Sequence, residues 1–124
     1  MRKELDKEPL KERPTAALNE MAVVCKKSDG FGIIIEIYSE DHGVLGSKEN
    51  PAHAHVRSAS GEYLGKFAIT IQPPRSAEYV FDVDKKKRIP TTIKSIIVKW
   101  GKTRNKDDII GWSLLRSVWR ALHP

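Results

Sequence analysis

Apolar residues recur along this chain in two rhythms, and the change from one to the other divides it. The segments "MAVVCKK" (21–27) and "IIIEIYS" (33–39) are rich in β-branched residues and flank "SDGFG". Asp29-Gly30 is a tight-turn signal because a primed turn needs positive φ at its centre. The pattern predicts an antiparallel pair with Val24 opposite Ile35 and Cys25 opposite Ile34, which matches apolar residues across the ladder. "EDHGVLGSKENP" (40–51) is rich in turn formers and reads as a long polar loop. A second hairpin follows, with "AHAHVRSA" and "YLGKFAITIQ" on either side of Ser60-Gly61. That tip places Ala54 opposite Phe67, Ala52 opposite Ile69, His53 opposite Ala68 and His55 opposite Lys66. "AEYVFDV" (77–83) alternates well enough to predict a further strand, after a turn at "PPRS".

From Pro90 onward the period is helical. Ile93, Ile96, Ile97 and Trp100 recur at helix spacing in "PTTIKSIIVKW", and Pro90 suits the first turn, where its missing N–H costs nothing. "GKTR" interrupts the pattern and "NKDDIIGWSLLRSVWRAL" resumes it. Asn105 is the expected cap, with Asp107 and Asp108 in the positive first turn. The expected apolar stripe is Ile110, Leu114, Leu115, Val118 and Leu122. Strands first and helices last predict an α+β fold: an antiparallel sheet of four to five strands, packed on one face by two C-terminal helices.

Length adds that 124 residues suit one domain able to bury a core without staples. The charged, proline-containing segment 1–14 reads as a flexible arm, and 15–124 as a single α+β domain, with "TAALNEM" offering a helical turn. The longest apolar run, "GFGIII", is too short to span a bilayer, and the amino terminus lacks the apolar stretch of a signal peptide. The single cysteine, Cys25, permits no internal disulfide, and the expected location is cytoplasmic. In "AVVCKK" it reads as a small buried hydrophobe. The net charge of +6 favours contact with RNA or another polyanion without specifying one.

The chemistry concentrates in "NPAHAHVR" (50–57). In a strand, residues two apart share a face, so His53, His55 and Arg57 project together while Ala52, Ala54 and Val56 face the helices. Three readings follow for this open face. An H-x-H pair can chelate zinc, iron or nickel if a third ligand comes from the loop, where His42, Asp41, Glu40 and Glu49 are the candidates. Alternatively His53, His55, Arg57 and Lys66 form an anion site, and two histidines there can act as base and acid on a phosphodiester, as in a metal-free ribonuclease. Plain solvated strand surface is the third. The cationic neighbours Arg57 and Lys66 weigh against the metal. Among the tryptophans, Trp100 is expected in the core and Trp112, off the predicted stripe, at an interface. "DKKKR" (84–88) can contact phosphates, but a solvated tip explains it as well.

The run "NPAHAHV", then "GKFAI", then "IPTTIKSIIVKW…NKDDIIGW" resembles the bacterial domain-of-unknown-function family numbered 4160, over about residues 32–112. The matching positions are Pro51, His53, His55, Val56, Gly61, Glu62, Lys66, Pro90, Trp100 and Trp112. Ala52 stands where that family usually has a second proline, and the loop from Tyr38 to Pro51 is longer. The resemblance implies a small bacterial α+β domain with no established activity, one half of a toxin–antitoxin-like pair with a protein or RNA partner. Together these readings lead to a domain binding a protein or polyanion through its His/Arg face. The alternative is a ribonuclease-like toxin or a metal-dependent hydrolase using His53 and His55.

Overall fold

The computed structural model describes residues 20–124. The charged arm, and all of the "TAALNEM" turn before Glu20, lie outside them, and Met21 already belongs to the first strand. Four strands form one antiparallel sheet in chain order: β1 (Met21–Cys25), β2 (Ile33–Tyr38), β3 (His53–Ser58) and β4 (Tyr63–Ala68). Two helices close the chain, α1 (Thr91–Lys102) and α2 (Gly111–Leu122). The predicted α+β class and its packing by two C-terminal helices hold.

The core face of the sheet is set by alternation. Ile33, Ile35 and Ile37 from β2, Ala54 and Val56 from β3, and Phe67 from β4 are all fully buried. They meet Ile97, Trp100, Trp112, Leu115 and Trp119 from the helices in one cluster. The β3–β4 register is the predicted one, with His53 opposite Ala68, Ala54 opposite Phe67 and His55 opposite Lys66. Ile69 N–H donates to the Ala52 carbonyl at 2.8 Å, which continues the ladder.

The first hairpin departs from expectation by one residue. Its connection is a short 3₁₀ turn, Lys27–Asp29, followed by Gly30 in the left-handed region at φ 88°. The open end keeps the predicted sum, with Val23 opposite Glu36, but a bulge after Val23 puts Cys25 opposite Ile35 rather than Ile34. The reason is burial: the bulge turns Cys25 onto the core face, where its exposure is zero. Its thiol reaches the Ile33 carbonyl at 3.6 Å.

Three further expectations are corrected. "AEYVFDV" makes a 3₁₀ turn (Ala77–Tyr79) and only a bridge to β4, with Ala68 N–H on the Phe81 carbonyl and Val83 N–H on the Lys66 carbonyl, both 2.9 Å. Asp82 draws the chain off the sheet, accepting from Ile89 N–H and the Lys94 ammonium, each at 2.8 Å. Asn105 does not cap a helix. Its side-chain oxygen accepts from the Asp107 and Ile109 N–H groups and closes a loop in which Asp108 has φ 63°, so α2 starts only at Gly111. Trp112 is no surface anchor: it is 1 % exposed, lies 5.9 Å from the Phe67 ring, and donates its indole N–H to the Thr70 carbonyl at 2.8 Å. The later start rotates the buried stripe of α2 onto Trp112, Leu115 and Trp119.

Trp112→Phe removes this hydrogen bond and opens a void, so urea unfolding should show a loss of about 2–4 kcal/mol. Burial, reinforced by Asp29, pushes the Cys25 thiol up to about 12. At pH 8 it should react with a disulfide reagent many times more slowly in the native protein than in urea. Since the folded value is the raised one, this contribution to stability is complete below the unfolded cysteine range and fades as pH climbs above it. Equal labelling rates would contradict the burial.

Candidate metal centre

Strand β3 carries the site. With Ala52, Ala54 and Val56 fully buried on the helix side, His53, His55 and Arg57 project from the opposite face. The face is less open than its alternation suggests, since His53 is only 8 % exposed. Two features cover it, the loop after β2 and the end of α2.

The loop folds back on the start of β3. Val44 N–H donates to the Asn50 carbonyl (2.9 Å) and Ala52 N–H to the Val44 carbonyl (3.1 Å). Gly43 makes the close approach possible, because a Cβ there would lie 2.4 Å from the Pro51 carbonyl oxygen. The result brings one loop acid to the histidines. Asp41 Oδ2 lies 2.8 Å from His55 Nε2 and 3.2 Å from His53 Nε2. One ligand-type atom from each of Asp41, His53 and His55 lies within 4.8 Å of the others. His42, Glu40 and Glu49 are exposed and stand outside this group. Of the four loop candidates, Asp41 is the one the fold brings to the two histidines, and His42 is not.

The two imidazoles differ. His53 Nδ1 donates to the Pro51 carbonyl at 3.2 Å, which turns Nε2 toward Asp41. That Nε2 is buried and has no hydrogen bond, despite its nearness to Asp41, because the approach is misaligned. His55 Nε2 has a well-formed contact with Asp41. Burial holds the His55 imidazole below its ordinary value, with the hydrogen bond and charge of Asp41 opposing and the charges of His53 and Lys66 assisting. A backbone carbonyl that orients one ring, and two imidazoles meeting one carboxylate, are features of metal sites.

Outside the triad, the Tyr38 ring meets His55 edge-on at 4.6 Å and Tyr63 lies 6.2 Å away. Trp119 is 6.0 Å from His53. His123 stacks on Trp119 at 3.6 Å, with Nδ1 on the Trp119 carbonyl and Nε2 2.9 Å from the Asp41 carbonyl. The last turn of the chain therefore clamps the loop that carries the carboxylate.

The four residues expected to form an anion site are not equivalent. Arg57 gives its Nε–H to buried Glu36 at 2.9 Å, and Glu36 also accepts from the Tyr38 hydroxyl at 2.7 Å. The ammonium of Lys66, beside His55, makes no hydrogen bond or ion pair among the described residues. The Asp41 carboxylate lies between the two imidazoles. Glu36 and Tyr38 were within reach of sequence reasoning, because extending the ladder puts Glu36 opposite His55. Nothing local marks His123 or Trp119 as partners of a loop some 80 residues earlier. No family model, curated protein or solved structure matches the chain, so the family resemblance rests on its motif residues.

Among the described residues no helix is long and apolar enough to cross a membrane. His123→Ala should remove two contacts to carbonyl oxygens and the stack on Trp119, lowering stability by about 1–3 kcal/mol. Amide exchange at residues 41–44 should accelerate, and an unchanged exchange pattern would show that the clamp does not hold the loop.

Proposed function

We propose that the protein holds a divalent transition ion through Asp41, His53 and His55 and uses it for hydrolysis. The observation that carries this reading is the buried His53 Nε2, which lacks a hydrogen bond and faces the same space as His55 Nε2 and Asp41 Oδ2. Leaving a buried acceptor unmade costs about 1–3 kcal/mol, and a cation between the three groups would remove that cost.

Two imidazoles and one carboxylate suit zinc, iron, manganese or nickel better than calcium or magnesium. Three protein ligands leave a position for water or substrate, as catalytic zinc sites do. An ion held there activates water as a nucleophile near neutral pH and polarises a substrate oxygen. The chain's own residues do the rest. The Pro51 carbonyl orients His53, the His123 clamp keeps Asp41 in reach, and burial weakens the hold of His55 on the proton that its Nε2 shares with Asp41, which would have to leave for an ion to bind there. Tyr38 and Trp119 limit water access from the sides.

The cationic neighbours that weighed against a metal are largely answered within the fold. Glu36 neutralises Arg57, and Asp41 supplies negative charge at the centre. Binding of a polyanion across the same face is a second reading, favoured by Lys66, whose ammonium has no ion pair among the described residues.

Elemental analysis of protein purified without chelator should find about one transition ion per chain. Calorimetric titration with zinc or manganese should lose at least tenfold in affinity for Asp41→Asn, His53→Ala and His55→Ala. Unchanged affinity in all three would remove the site. RNA degradation that persists in EDTA yet disappears with either histidine would instead favour a metal-free nuclease.

A further inference from the structure

The face that carries the triad continues beyond β4. Asp82 is bridged to Phe67 and turns toward the helices, where it meets Lys94. Alternation then sends its neighbours Phe81 and Val83 to the other side, the side of His53, His55 and Lys66. Phe81 is 51 % exposed, an unusual place for a large aromatic. Ala68 N–H donates to the Phe81 carbonyl, and Ala68 pairs with His53 across the ladder. Phe81 thus lies two strand spacings, about 10 Å, from His53.

A cluster of cations borders the same edge. The Tyr63 hydroxyl donates to Asp84 at 2.7 Å, and the Asp84 carboxylate also accepts from Lys86 N–H at 3.0 Å, which fixes the start of the segment Lys85–Arg88. At its other end the segment wraps round the edge of β4 to the helix side, where Gly65, the partner of buried Val56, lets the chain approach: a Cβ there would be 2.8 Å from the Lys87 carbonyl oxygen. All four residues, Lys85, Lys86, Lys87 and Arg88, are exposed. None appears in an ion pair among the described residues, and neither does Lys66. Four successive exposed cations are therefore anchored along the edge of β4, the strand that carries Lys66 and neighbours the triad-bearing β3, and the exposed Phe81 ring lies on the triad side of the same edge.

We infer that this face binds single-stranded nucleic acid, with Lys66 and Lys85–Arg88 against phosphates and Phe81 stacking a base, so that the bond presented to Asp41, His53 and His55 is a phosphodiester. Cations along a backbone track, with an aromatic platform among them, are how single strands are held without sequence readout. The assignment of the scissile bond rests on the metal-centre reading, whereas the binding does not. In the reaction, the oxygen of a water forms a bond to phosphorus and the bond from phosphorus to one ester oxygen breaks. The proton of the water ends on the departing hydroxyl, and no redox change occurs.

The full-length protein can be tested by anisotropy with fluorescein-labelled dodecamers of uridine and of deoxythymidine, in EDTA and over a range of salt. Wild type should bind with affinity falling linearly in log salt. Phe81→Ala should weaken binding roughly tenfold at every salt concentration. Lys66→Ala should reduce the salt slope by about 0.7. Tighter binding of one dodecamer identifies RNA or DNA as the source of the strand. No binding at the lowest salt, or binding that neither variant changes, overturns the inference. It is also overturned if Phe81→Ala abolishes self-association in sedimentation while oligonucleotide affinity stays put, since the patch then receives a second copy. Because EDTA is present, failure of Asp41, His53 and His55 to hold metal removes the hydrolase reading alone. With zinc or manganese added, strand cleavage by wild type but not by Asp41→Asn supports the phosphodiester, and tight binding without cleavage overturns that part.

Discussion

Strand β3 can occupy only one register, and the site follows from that constraint. Ala52, Ala54 and Val56 have no exposure at all, pressed against a cluster that includes Phe67, Ile35 and the helical tryptophans. A slip of one residue would drive two imidazoles and a guanidinium into that cluster, at a desolvation cost of several kcal/mol each. His53 and His55 are thereby kept two residues apart on the far face, where a single ion or carboxylate can reach both.

The far face is not left as an open polar surface. Glu36, 9 % exposed, is shared by Arg57 and Tyr38, and Asp41 is shared by two histidines. Glu36 thus accepts from two donors, and half-buried Asp41 bonds one imidazole while lying 3.2 Å from the other, which offsets their loss of hydration. The exceptions are informative. His53 Nε2 is buried without a hydrogen bond, and Lys66 is half-buried without an ion pair among the described residues. On this face the unmet bonding capacity lies at His53 Nε2 and at the Lys66 ammonium on the next strand, while a further buried atom without a partner, Arg116 Nε, lies on α2. Positions of unmet capacity are where ligands bind.

Much of the architecture was legible because it depends on neighbours in sequence. The Ser60-Gly61 tip gave the β3–β4 register residue by residue, and the helical period of residues 93–100 located α1. Errors arose where a tertiary demand overrode a local signal. Burial of Cys25 inserted a bulge that no turn rule contains. Asn105 had the right chemistry for a helix cap and used it to close a loop, because its amide oxygen reached two later N–H groups first. Trp112, off the predicted stripe, joined the core once the helix began five residues later than its cap signal implied.

The same division runs through the site. Alternation along "HAHVR" is a covalent property of an extended chain, so the sequence by itself determined that His53, His55 and Arg57 share a face and that Lys66 lies beside His55. Which acid joins them could not be read there. Four candidates stood in one flexible-looking loop, and the choice of Asp41 came from Gly43 packing against Pro51 and from His123 holding the Asp41 carbonyl. Those contacts span distances in sequence that no periodicity reaches, and only the folded packing of α2 against the end of the sheet decides them.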